Sequence, residues 1–201
     1  MFRSIQTRLL IIIFAISFAA ACSDSSSGPD LDNNPGQVSL TISGDVQGEK
    51  TGMADFYGGE PGGQGIHYWE LSFNDFSPQT YSLQLSLTDF DEIRRPSPGS
   101  YEIGFEPGNP FEEQGEPLFF GIYTHIPNGS FSNAMEFDTG LFCVDEGPRG
   151  GTLVITGSSS EAVSGSFSFK AANYDFDDSG NCILQGEIEV TGEFNARARQ
   201  F

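Results

Sequence analysis

Basic charge, histidine, cysteine and tryptophan are all scarce in this chain. Nine Lys and Arg stand against 28 Asp and Glu, a net charge of -19 over 201 residues, with two His, three Cys and one Trp. The deficit of positive charge creates a field that repels nucleic-acid phosphates and anionic head groups. Nucleic-acid binding is therefore excluded as the main role, while cations and basic or neutral partners remain open. With only His67 and His125 available, general bases suited to neutral pH are few. Both histidines are expected as half-buried strand residues.

The usual catalytic signatures are missing too. No H-E-x-x-H zinc motif and no G-x-S-x-G nucleophile elbow occurs. Glu49 separates glycine from lysine in the stretch Gly44 to Thr51, so a phosphate loop fails there. Glu112, Glu113 and Glu116 lie close together as a glycosidase pair would need, but neighbouring loop glutamates are expected in so acidic a chain. No enzyme activity is expected.

Long apolar runs are also lacking, with one exception. Leu9 to Ala21 is apolar or small apart from Ser17, preceded by Arg3 and Arg8 and followed by Cys22. Thirteen residues fall short of the about 20 that cross a bilayer core, so the segment suits a cleaved export signal over residues 1–21. Ala19-Ala20-Ala21 before Cys22 resembles the lipobox of bacterial lipoproteins. The resemblance implies a diacylglycerol on the Cys22 sulfur, fatty acids such as palmitate, and membrane contact through the lipid anchor. Several acyl chains together give stable attachment where one gives only marginal binding. Ser23 in place of Asp implies sorting to the outer membrane, facing either the periplasm or the exterior. The alternative is an ordinary secretory signal that leaves Cys22 as a free thiol.

Setting Cys22 aside leaves Cys143 and Cys182, and an oxidising compartment would keep such a pair as a disulfide. Loop entropy gives that bridge about 4 kcal/mol. Two unlinked buried thiols are the rival, and zinc is disfavoured because neither cysteine has a second ligand at close spacing.

Residues 22–36 are polar, with two prolines and two glycines, and form a tether. From residue 37 to 201 the dominant period is two, as in Val38-Leu40-Ile42 and Tyr81-Leu83-Leu85-Leu87. Further alternating sets are Trp69-Leu71-Phe73, Tyr101-Ile103-Phe105 and Leu118-Phe120-Ile122. One all-β domain follows, an antiparallel β-sandwich of about 8 to 10 strands, or alternatively a closed up-and-down, lipocalin-like barrel. Val163-x-Gly165-x-Phe167-x-Phe169 and Val190-x-Gly192-x-Phe194-x-Ala196 are alike and are expected as neighbouring antiparallel strands, each glycine marking a bend or a close aromatic. This pattern resembles small all-β lipoproteins and implies no activity. Glycine-rich residues 44–66 and residues 106–117 are expected as long loops.

Two ligand sets remain. Asp175, Asp177 and Ser179 before Gly180 resemble the opening of a calcium loop, but Gly186 holds the twelfth position where a bidentate Glu belongs. A loose Ca2+ site on a hairpin and a solvated acidic turn both fit. Tyr68, Tyr123 and Tyr174 are candidate carbohydrate contacts. Tyr68 and Trp69 must face opposite sides of one strand. An envelope or surface role with a glycan or protein partner is the expectation, and a glycan- or calcium-binding module of a larger surface complex is the alternative.

Overall fold

The computed structural model describes residues 35–60, 67–75, 78–89, 92–104, 119–140, 143 and 149–199. Alternation of apolar and polar residues makes strands wherever one face can be buried and the other left wet. Ten result: β1 (Gln37–Gly44), β2 (Gly48–Gly59), β3 (His67–Asn74), β4 (Tyr81–Asp89), β5 (Gly99–Ile103), β6 (Phe119–His125), β7 (Met135–Asp138), β8 (Gly150–Ser158), β9 (Ala162–Phe176) and β10 (Cys182–Ala198). The described residues contain no α-helix, only single 3-10 turns at Pro127–Gly129 and Phe131–Asn133.

All ten strands share one mixed sheet. Its hydrogen bonds run from β1 through β2, β3, β4, β6, β5, β8, β9 and β10 and return to β1, forming a ring that suits both a sandwich and a barrel. Most pairings are antiparallel, as expected. Two short parallel contacts, Ile103 with Phe119 and Arg197–Ala198 with Asp55–Phe56, make the sheet mixed.

The inward residues form one core. Phe73, Phe167 and Phe194 meet at its centre, with ring centroids 5.4 to 6.2 Å apart. The two similar C-terminal segments are neighbours, with Phe167 opposite Gly192 and Phe194 opposite Gly165. A methyl group on Gly192 would lie 2.5 Å from the Phe167 ring, so this glycine is the gap into which the aromatic fits.

Two expectations need correction. In β6 the inward residues are Phe119, Gly121 and Tyr123, while Phe120 and Ile122 are half-buried on the other face; Leu118 lies outside the described residues. Gly121 conceals the true phase. It occupies a core position because Leu85, Ile103 and Thr139 side chains fill the space over it. Much of the supposed loop over residues 44–66 is strand β2. Two of its glycines sit where neighbours approach closely, Gly52 against the Tyr81 hydroxyl and the Asn74 carbonyl, and Gly58 against Ile93. Residues 106–117 lie outside the described residues.

Candidate functional site

The long β9–β10 hairpin overshoots its neighbours. β8 begins opposite Lys170 and β1 ends opposite Ile188, so Asn173–Phe176 and Cys182–Gly186 project past the ring. Between this projection, the β1–β2 turn and β7 lies an open cavity of about 340 Å³. Val46 and Phe137, both buried, provide apolar lining, and Met135, 40% exposed, adds a flexible thioether. Asp45, Asp175, Asn173 and Gln185 supply the polar lining, with Tyr174 beside them. Apolar and polar groups share this lining about equally, and such a mixed concavity at one end of the sheet is a candidate binding site.

Local chemistry positions these groups. Gly44 has φ +108, and a side chain there would meet the Glu187 carbonyl at 2.3 Å. Only glycine lets the chain turn so close to β10. Asp45 is thereby seated: its amide donates to the Glu187 carbonyl at 2.9 Å, and its carboxylate accepts from the Glu187 amide at 2.7 Å. The Asn173 amide group donates to the Glu136 carbonyl at 2.6 Å, tying β9 to β7. A bulge between Leu184 and Gly186 places the extra residue, Gln185, at the cavity.

On the other face of the hairpin Cys143 and Cys182 form a disulfide with Cα atoms 5.9 Å apart. Arg149 donates to the Cys143 carbonyl and lays its guanidinium 4.2 Å from the centre of the Tyr174 ring. The bridge, the arginine and the tyrosine thus fasten Cys143 and Arg149 to the hairpin.

The sequence candidates separate on inspection. Tyr174 and Asp175 both border the cavity, but they alternate along β9, and the Tyr174 ring is covered by Arg149. Tyr68 is half-buried on the outer face of β3, edge-on to Tyr57 at 5.8 Å, whereas Trp69 is buried inside, so the two do face opposite ways. Tyr123 is a correction. It is fully buried, packed against Tyr81 and Phe137, because β6 turns its odd-numbered residues inward, and this burial leaves no surface for an external sugar. The Tyr81 and Tyr123 hydroxyls find no hydrogen-bond partner among the described residues, and burial raises both well above the ordinary tyrosine range.

Asp177 closes the hairpin turn. Its carboxylate accepts from the Ser179 and Asn181 amides, each at 2.8 Å, and from the Asn181 side chain at 2.8 Å, which holds it below the usual carboxylate range. Ser179 contributes only its amide to that turn, while Asp175 bonds the Phe176 amide at 2.8 Å and lines the cavity. These bonds commit the Asp177 carboxylate to the turn itself. No group of three or more His, Cys, Asp or Glu suited to a metal ion occurs among the described residues. Both histidines are half-buried strand residues, His67 opening β3 and His125 closing β6. Burial, then the Lys50 charge, lowers His125. Cys22 and the glutamates Glu112, Glu113 and Glu116 lie outside the described residues.

Glu70 is a feature that the pattern of β3 does not announce. It is only 7% exposed, although it lies on the outer face. The Tyr57 hydroxyl donates to it at 2.6 Å, Ser86 at 3.2 Å and the Gln84 amide group at 3.3 Å. Burial, then the bond to Glu70, pushes Tyr57 up to about 12. With three donors on one carboxylate, this cluster ties β2, β3 and β4 together as structure. Comparison with protein-family models, curated proteins and solved structures gives no match to this chain.

Proposed function

We propose that the chain is an exported lipoprotein, fastened to an outer membrane through lipid on Cys22 and acting by binding rather than by catalysis. The observation that carries this proposal is the Cys143–Cys182 bridge. Such bonds persist outside the reducing cytosol, and the first 22 residues supply the matching export and anchor pattern. The cavity at the end of the β9–β10 hairpin is the proposed binding site. Its carboxylates are oriented by backbone amides, an arrangement suited to holding a ligand by fixed hydrogen bonds.

A glycan-binding module is the second reading, supported by Asp175 standing with Asn173 and Gln185 around one cavity. Growth with radioactive palmitate tests the anchor. Label is expected on the wild-type protein and not on Cys22→Ala; equal labelling of both refutes it.

A further inference from the structure

We infer that the cavity and the strand edge beside it receive an extended peptide segment carrying a lysine or arginine side chain. This names the partner class and rests on the binding role proposed above. The first support is the backbone. After Gly44 pairs with Ile188, and Asp45 bonds Glu187, no described strand pairs with Ile183–Gln185 on the side away from β9. Unpaired strand backbone is a template for strand addition, which natural sheets guard with charge, proline or a cover. Here the edge instead presents Ile183 and Leu184, 44% and 43% exposed.

The second support is the charge around the cavity. Asp45 and Asp175 line it, Asp177 and Asp178 occupy the adjoining turn, and Glu187 is exposed beside it. No lysine or arginine lines it, and nearby Arg149 is engaged with Tyr174 and the Cys143 carbonyl. Third, the apolar lining of Val46, Phe137 and Met135 suits the methylene stem of a long basic side chain whose head group reaches the carboxylates. A sugar would also use carboxylates, but it has no use for a backbone edge left unpaired among the described residues beside exposed aliphatic side chains. The added strand gains affinity from main-chain hydrogen bonds and specificity from the side chain that enters the cavity.

The test uses the full protein purified in detergent and a fluorescein-labelled octapeptide alternating Lys and Val, followed by anisotropy. Saturable binding is expected, with none for the matching Glu-Val peptide. Methylating alternate backbone nitrogens of the peptide should weaken binding about tenfold, because strand addition needs those N–H groups. Asp45→Asn with Asp175→Asn should weaken it about tenfold, whereas Glu161→Gln with Glu193→Gln, which removes the same charge elsewhere, should change it by less than about twofold. Leu184→Lys, outside the cavity, supplies a second variant and should also weaken binding about tenfold by guarding the edge.

Equal loss in the two charge-matched double variants overturns the inference in favour of unspecific attraction. Absence of peptide binding by protein that still takes palmitate at Cys22 overturns it while leaving the lipoprotein reading intact. So does binding of a glycan panel, abolished by Asp45→Asn, without peptide binding. Self-association through the edge, seen by sedimentation and abolished by Leu184→Lys, likewise overturns it.

Discussion

Removing the bridge by Cys143→Ala together with Cys182→Ala should lower the unfolding free energy by about 4 kcal/mol. The bond closes a loop of 39 positions that carries β8, β9 and the turn after it. Cross-linking removes conformations from the unfolded chain in proportion to the logarithm of that length, which gives about 4 kcal/mol at room temperature. Alanine is preferred to serine because Cys143 is 4% exposed, and a hydroxyl there would add its own desolvation cost. The variant should still fold, since β9 and β10 remain paired from Arg197 back to Cys182 by backbone hydrogen bonds. For a domain of this size each kcal/mol moves the melting temperature by about 2–4 °C, so a drop of roughly 8–16 °C is expected. Urea unfolding followed by emission of the single Trp69, 3% exposed in the fold, measures the change directly. Wild type under reductant should match the variant. Loss of less than about 1 kcal/mol in both would refute the loop-entropy reasoning.

Four further outcomes follow. Phe194→Ala should cost about 3–5 kcal/mol, measured by the same urea titration, because it empties the centre of the Phe73–Phe167–Phe194 cluster. Glu70→Ala strips the acceptor from Tyr57, Gln84 and Ser86; destabilisation of about 1–3 kcal/mol is expected, and absorbance at 295 nm should show Tyr57 ionising closer to pH 10. The raised Tyr57 value makes its contribution complete below pH 10 and lost as pH climbs through about 12, so alkaline melts should fall across that window in the wild type. Burial raises Asp75, but bonds from the Thr80 hydroxyl, the Thr80 amide and the Tyr81 amide outweigh it and hold the group low; its contribution is present above pH 3.8 and lost as acid passes below that, so Asp75→Asn should flatten the acid limb of a stability profile.

The strands were legible wherever a side chain at every second position was large and apolar, as in Val38, Leu40 and Ile42 or Tyr81 to Leu87. The pattern misled at Gly121 and Gly52, where a neighbour's side chain fills the space over a blank residue, and at Gly58, an exposed position covered by Ile93. The cavity was legible only in part. Tyr174 and Asp175 belong to a segment rich in turn residues and acids, which flags itself. Asp45, Met135, Phe137 and Gln185 come from distant parts of the chain, and only the pairing of β1 with β10 and of β7 with β9 brings them to one place. Glu70 was hidden for another reason: a polar residue in an alternating strand is expected in solvent, and its burial depends on donors from β2 and β4.

Mass spectrometry of the protein recovered from the membrane fraction is the most direct measurement. A mature chain that begins at Cys22, carries acyl mass on that residue and holds Cys143 and Cys182 oxidised is the predicted result. An acyl-free chain in the cytosol that still begins at Met1, with both of those thiols reduced, would contradict it.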